Sequence, residues 1–298
     1  MNVTLRQLRL FLALAETGSV TAAARATHVT QPTASMQLRE MTQAVGLPLY
    51  EVVSRRVRLT EAGEELARTA RTMADAWSAF GERVDALKGI TRGRLRIAVV
   101  STAKYFIPRL LGGFCAAHPG IEISLEVQNR DGVVQRLQDH LDDLYIMSLP
   151  PAHMELEAKP FLPNPLVVIA PTEHPLVRRR RSLSLADLGP HAFILREPGS
   201  GTRTTVDAHF AQHRFKPVVR MELGSNEAIR GVVAGGLGLS VLSRHALRGK
   251  SDGDGVVELK VAGFPLQSQW HVVHASGRRL SPVAAVFREY LLAQAGQW

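Results

Sequence analysis

The chain of 298 residues contains one cysteine, Cys115. A single thiol closes no intrachain disulfide and no Cys/His cluster accompanies it, so neither a disulfide-stapled scaffold nor a zinc-knit domain is expected. Runs of about 18 apolar residues are missing, which removes a spanning helix from the expectations. The N-terminal apolar segment carries Arg6, Arg9 and Glu16, and no small-residue cleavage site follows it. It does not read as a signal peptide, and the expected address is cytoplasmic, with no membrane partner. Acidic residues are in deficit: 36 Lys and Arg stand against 27 Asp and Glu, a formal net charge of +9. That excess leans toward anionic partners.

A catalytic constellation is missing too. Residues 199–205 resemble a phosphate loop but lack the Gly-Lys-Ser/Thr ending. Gly235-Gly236-Leu237-Gly238 precedes a strand, the reverse of a dinucleotide fingerprint. His209 and His213 are four apart, yet Phe210 holds the place of a zinc-protease glutamate. Cys115 has no base beside it and reads as a core thiol. No enzyme activity, metal or cofactor is therefore expected.

What is present is an ordinary globular composition, 45% hydrophobic and 21% charged, long enough for two domains and a small third. Charge is distributed unevenly. Residues 1–60 hold seven Lys/Arg against three Asp/Glu, residues 61–90 hold four against six, and the remainder holds 25 against 18. A small basic head suits nucleic acid. An equally basic body is not explained by DNA alone; it is either a solvated surface or a site for small anions.

Leu5, Leu8, Phe11, Leu12 and Ala15 recur at helical spacing, and Gly18 ends that helix. An Ala-rich helix follows at 20–27. Thr30 then caps a third helix with Pro32 in its first turn and Ala34, Leu38, Met41 and Val45 on the buried side. Two helices joined so tightly are a helix-turn-helix. The outer face of the third helix presents Thr30, Gln31, Pro32, Thr33, Ser35, Met36 and Arg39. An amide, hydroxyls, apolar groups and one Arg suit a major groove better than the Glu/Lys pairs of a merely solvated face. Residues 49–59 form a hairpin whose tip carries Arg55 and Arg56. These residues either reach phosphates or stay as solvated turn charges.

From Thr60 the pattern changes. Leu66, Ala70, Met73, Trp77, Phe80, Val84 and Leu87 are spaced alternately four and three, a heptad seam that favours helix-on-helix pairing. Packing onto the chain's own body is the alternative; Trp77 and Phe80 on so long a helix favour a partner chain. A dimer would set two recognition helices about 34–36 Å apart, or a multiple of that.

The body alternates strand and helix, which implies a parallel α/β sheet. Strands are expected near 94–100, 121–127, 143–148, 166–170, 192–196, 218–223, 238–242, 256–260 and 268–274. Helices are expected from Ser101 to about Ala117, and near 131–140, 202–214, 225–235 and 281–294. Breaks near 160–165 and 262–267 suggest two lobes joined by two crossings. Ligands of such sheets bind beyond the carboxyl ends of strands, where helix N-termini attract anions. Three such ends carry suitable residues: Ser101, Thr102 and Lys104; Gly201, Thr202 and Arg203; and Ser225 with Asn226. Singly, the hydroxyls and Asn226 could do no more than cap their helices. Three sites in one interlobe cleft point to a pocket, with Arg203 as a bidentate clamp.

These residues carry a resemblance. Phe11-Leu12-Ala13-Leu14-Ala15-Glu16-Thr17-Gly18-Ser19, Thr30-Gln31-Pro32-Thr33-Ala34-Ser35 and Leu59-Thr60-Glu61-Ala62-Gly63 resemble the motifs of the LysR-type transcriptional regulators, over essentially the whole chain. Met36 departs from the pattern, standing where many members carry Arg. Val100–Phe106, Leu195–Arg203 and Met221–Ile229 are similar to the regulators of RuBisCO and Calvin-cycle operons, whose effectors are phosphorylated or nucleotide metabolites. The resemblance implies an α/β protein in three parts. They are a winged helix-turn-helix over 1–60, a coiled-coil linker helix over 61–92, and a two-lobed effector-binding domain over 93–298 resembling periplasmic binding proteins. The first lobe would take 93–162 and 267–298, the second 163–266. It also implies a homodimer, a homotetramer through the bodies, double-stranded promoter DNA, a small anionic metabolite and RNA polymerase as partners. Carbon-fixation genes would be the targets. The alternatives are a regulator of another pathway with a carboxylate effector, and a small-molecule binding protein.

Overall fold

In the computed structural model, which describes residues 3–53, 56–87, 92–179, 181–247 and 255–294 and leaves out the side chains at 82 and 85–87, contacts gather the chain into two units. One is Met1–Ile90 with Asp139–Leu141; the other is Thr91–Gln138 with Asp142–Trp298.

The first unit is built from local signals. Thr4, in extended backbone, caps α1 (Leu5–Thr17) in a capping box with Gln7. Ser19 caps α2 (Val20–Ala26), and Thr30 caps α3 (Gln31–Val45) with Pro32 in its first turn. Their apolar faces meet in a core of Leu10, Phe11, Leu14, Ala23, Ala34, Leu38 and Met41, each at most 1% exposed. Alanines at the crossing points let the helices approach closely. A hairpin of β1 (Tyr50–Val53) and β2 (Arg56–Leu59) follows, with Val53 opposite Arg56. α4 (Glu61–Leu87) starts directly on that hairpin. A side chain at Gly63 would put its Cβ 1.9 Å from the Leu49 carbonyl oxygen, so this first turn tolerates only glycine.

The second unit runs β3 (Gly93–Val100), a 3₁₀ turn (Ser101–Tyr105), α5 (Ile107–Ala117), β4 (Ile121–Gln128), α6 (Arg130–Gln138), β5 (Leu144–Met147) and β6 (Leu156–Pro163). It continues through β7 (Leu166–Pro171), α7 (Leu185–Leu188), β8 (Ala192–Arg196), α8 (Gly201–Gln212), β9 (Val218–Leu223) and α9 (Asn226–Ala234). The chain ends with β10 (Ser240–Ser243), β11 (Val256–Glu258), β12 (Gln269–Ala275) and α10 (Pro282–Ala293). The first lobe is one sheet in the order β4-β3-β5-β12-β6, cored by Ile97, Phe106, Phe114, Trp270 and Phe287. The second lobe pairs β8 with β9 and sets β10 and β11 on either side of β7, with its own core around Phe193 and Phe210.

Four expectations need correction. The sheets are not all parallel: the five-stranded sheet is mixed, with β12 antiparallel to β5 and β6, the β10-β7-β11 sheet is antiparallel, and the β8-β9 pair is parallel. β12 returns from the second lobe and so enters its sheet from the opposite end. The stretch 160–165, read as a break, carries β6 through Pro160 and Pro163; β6 is an edge strand, where a missing N–H is tolerated. The passage between lobes is narrower, with the Asn164 amide donating to the Ser268 carbonyl at 2.8 Å and Leu166 to Leu266 at 3.0 Å. The helix expected from Ser101 to Ala117 is split. Pro108 inside it would lose a bond to the Lys104 carbonyl and clash with it, so α5 restarts with that proline in its first turn. Finally, Cys115 lies on the exposed side of α5 and is no core thiol.

Candidate functional site

On α3, Thr30, Gln31, Pro32, Met36 and Arg39 are exposed, while Thr33 and Ser35 are half-buried beside them. The face is internally ordered. Gln31 donates its amide to the Ser35 hydroxyl at 3.0 Å, and the Thr30 and Thr33 hydroxyls lie 2.8 Å apart. Met36, 53% exposed, puts a flexible apolar side chain at the centre of this face. On the hairpin Arg56 is exposed; Arg55 lies outside the described residues.

The heptad seam of α4 divides. Ala70 is buried in the core of the head and Leu66 packs against that core, so neither waits for a partner as expected. Met73, Trp77 and Phe80 are 45%, 57% and 52% exposed, with the Trp77 and Phe80 rings 5.8 Å apart. Val84 is half-buried. The Leu87 side chain lies outside the described residues.

In the second unit the ends of β3, β8 and β9 converge where the lobes meet. Arg196, the last residue of β8, is 2% exposed. Its guanidinium donates to Glu197 at 2.7 and 2.9 Å, to the Asn226 side-chain oxygen at 2.8 Å and to the Ser101 hydroxyl at 3.1 Å. One buried cation thus joins the first lobe to two elements of the second. Beside it, Lys104 lies 2.8 Å from the Glu227 carboxylate, Tyr105 donates to the same group at 2.7 Å and Ser225 at 3.0 Å. Burial works to raise the Glu227 carboxyl, but hydrogen bonds from Lys104 and Tyr105 outweigh it and hold the group down at about 2. Burial, and then Glu227, push the Tyr105 hydroxyl up, so it stays protonated as a donor.

A third contact closes the opposite corner. The Asp131 amide donates to the Gly199 carbonyl at 3.2 Å, and a Cβ at Gly199 would stand 2.6 Å from the Asp131 carboxylate. Gly201 lies so near Ser148 that a Cβ there would come within 3.1 Å of its hydroxyl. Between these contacts and the crossing strands lies a cavity of about 480 Å³, lined by Ser148, Pro163, Thr205, Ser268, Gln269 and His271 among others. Burial lowers the pKa of His271, which leaves a neutral imidazole at the wall.

The structure brings Ser101, Lys104, Ser225 and Asn226 into one cluster, and places Thr102 and Thr202 nearby as buried side chains. Ser101 and Thr102 cap no helix, whereas Ser225 caps α9 by accepting from the Ala228 amide. Ser200, at the head of α8, makes no side-chain bond to that helix's amides. The expected clamp Arg203 is itself engaged: its guanidinium is held by Asp207 of its own helix, Glu222 of the next strand and the Arg196 carbonyl at the end of the preceding one. Arg196 was missed. Its signal was a lone cation closing the apolar run Ala192-Phe193-Ile194-Leu195. Among the described residues, no group of three or more His, Cys, Asp or Glu could hold a metal ion. No helix among them is long and apolar enough to cross a membrane.

Comparison with known proteins gives this arrangement a family. Residues 5–64 match the bacterial regulatory helix-turn-helix proteins of the lysR family, and residues 88–296 match the LysR substrate binding domain. The chain is a LysR-type transcriptional regulator. It is 44% identical over 292 residues to the HTH-type transcriptional activator CmpR of Synechocystis sp., covering 98% of this chain and 96% of that one. It is 43% identical to a RuBisCO operon transcriptional regulator of Acidithiobacillus ferrooxidans, covering 98% and 94%. Among solved structures, the regulatory domain of CcmR from Synechocystis, in complex with 2-PG, shares 47% identity with a TM-score of 0.67, covering 69% of this chain and 98% of that one. The regulator therefore belongs with those of the CmpR and RuBisCO-operon kind.

Proposed function

We propose that this regulator binds promoter DNA of carbon-fixation-type genes as a homodimer, and that a small phosphorylated anion in the cleft of its second unit changes that binding. The observation that carries the reading is the junction of Ser101, Arg196 and Asn226, in a domain 47% identical to one in complex with 2-PG. We read that ligand as 2-phosphoglycolate.

In the head, Gln31, the Thr30, Thr33 and Ser35 hydroxyls, and Met36 face the major groove. Arg39, Arg55 and Arg56 hold the backbone. Along the rod, Met73, Trp77, Phe80, Val84 and Leu87 pair with a second copy, and the bodies carry dimers to tetramers. In the cleft, Ser101, Thr102, Lys104, Gly201, Thr202, Arg203, Ser225 and Asn226 meet the anion. The protein works in the cytoplasm, with RNA polymerase as its onward contact. An effector acts by binding one lobe arrangement better than the other, and only by that difference. No catalytic step is involved.

The DNA half is tested by mobility-shift titration of the full-length chain across salt concentrations. Affinity should fall with a log–log slope of about −0.9 per phosphate contact. A chain that ignores duplex DNA at low salt defeats the reading.

A further inference from the structure

The cation expected to meet the effector is already engaged. Lys104 faces a carboxylate of the chain itself, and that carboxylate is unusually well served. Glu227 Oε1 accepts from Tyr105 at 2.7 Å, and Oε2 accepts from Lys104 at 2.8 Å and from Ser225 at 3.0 Å. A cation, a phenol, an aliphatic hydroxyl and a helix start at one point are the donors a phosphate group recruits. Two of them come from the first lobe and the rest from the second. Glu227 sits in the first turn of α9, where negative charge is favoured. Its side chain is 51% exposed, so it can leave Lys104 for solvent without unpacking the helix. Lys104, 36% exposed, is equally reachable from outside.

We propose that Glu227 is a resident occupant of the anion site, which an incoming effector must displace from Lys104, Tyr105 and Ser225. The inference rests on the effector reading of the cleft and adds a selection rule to it. A tethered carboxylate competes at high effective concentration. A free monocarboxylate offers Lys104 no more charge than Glu227 does and lacks the tether, so it loses. A phosphate near −2 offers more charge and a third oxygen, and it wins. Protonation is no route to release, because Glu227 stays ionised throughout the neutral range. The cleft therefore answers to ligand charge and stays closed to mild acid. The competing explanation is an ion pair that only helps the lobes close, in which case removing the charge would weaken ligand binding.

The experiment is calorimetric titration of the full-length chain with 2-phosphoglycolate, glycolate and inorganic phosphate, in wild type and Glu227→Gln. The amide keeps the size and removes the competing charge. Glu227→Gln should bind 2-phosphoglycolate at least about fivefold more tightly and should begin to bind glycolate, which wild type should refuse. A circular-dichroism melt establishes that the variant is folded, and Glu227→Ala, which also removes the competitor, should repeat the gain. Adding Lys104→Met to either variant should abolish it. Wild-type binding that both Glu227 variants leave unchanged or weaken overturns the displacement alone. Binding of no phosphate by wild type or by either variant overturns the anion site and the displacement with it.

Discussion

Arg196 and Arg203 lie seven residues apart and differ in nearly everything that sets their energetic weight. Arg196 is buried and serves Glu197, Asn226 and Ser101; Arg203, at 19% exposure, bonds two carboxylates that are 40% and 50% exposed. Removing a buried cation strands its partners, which costs about 3 kcal/mol. Removing a half-buried cation whose carboxylate partners reach solvent costs less, about 1 kcal/mol, because water re-solvates those partners. Urea denaturation should therefore show Arg196→Ala to be destabilised several times more than Arg203→Ala, and Arg196→Lys should recover only part of the loss, because an ammonium cannot fork to three partners. Equal losses for the two alanine variants would contradict the junction. The sequence points to Arg203 and passes over Arg196 for a physical reason. A cation after Ser-Gly-Thr at a helix start carries a familiar anion-site pattern. The burial of Arg196 depends on Asn226 and Ser101, 30 and 95 positions away, which no local pattern reveals.

Elements were more legible than contacts. The cap at Thr30, the apolar face of α3 and the helix stop at Gly18 are short-range effects, and the head folds as they dictate. β6 was hidden because its prolines mimic a break, and their tolerance depends on its being an edge strand. The α4 seam was legible as a period but not as a division of labour. Ala70 is consumed by the head, whereas Trp77 and Phe80 remain exposed at 57% and 52%. Two aromatic side chains so placed on one helix face would each bury roughly 150–250 Å² against a partner. Replacing Trp77 and Phe80 together with Glu should leave the head folded and shift sedimentation toward a 32.6 kDa monomer, with weaker binding to two-half-site DNA. A variant that sediments as wild type would place dimerisation elsewhere.

At the scale of the whole molecule, nearly all of the net charge of +9 lies in the second unit, since residues 1–90 hold 11 Lys and Arg against nine Asp and Glu. In the proposed reading the head and rod bind DNA, and the three interlobe contacts are where a small anion is felt. Ser101–Arg196, Lys104–Glu227 and Asp131–Gly199 all join the same two lobes, so a ligand that breaks one of them biases the others. The family architecture was readable from motifs at both ends of the chain. The contacts across the cleft were not, because they depend on carboxylates and glycines whose partners are assembled only by the fold. The most direct measurement is a nuclease footprint of the full-length protein on the DNA immediately upstream of its own gene, titrated with 2-phosphoglycolate. The expected result is a protected region without ligand that shortens or shifts as ligand saturates. A footprint indifferent to saturating 2-phosphoglycolate would contradict control of DNA binding by this anion.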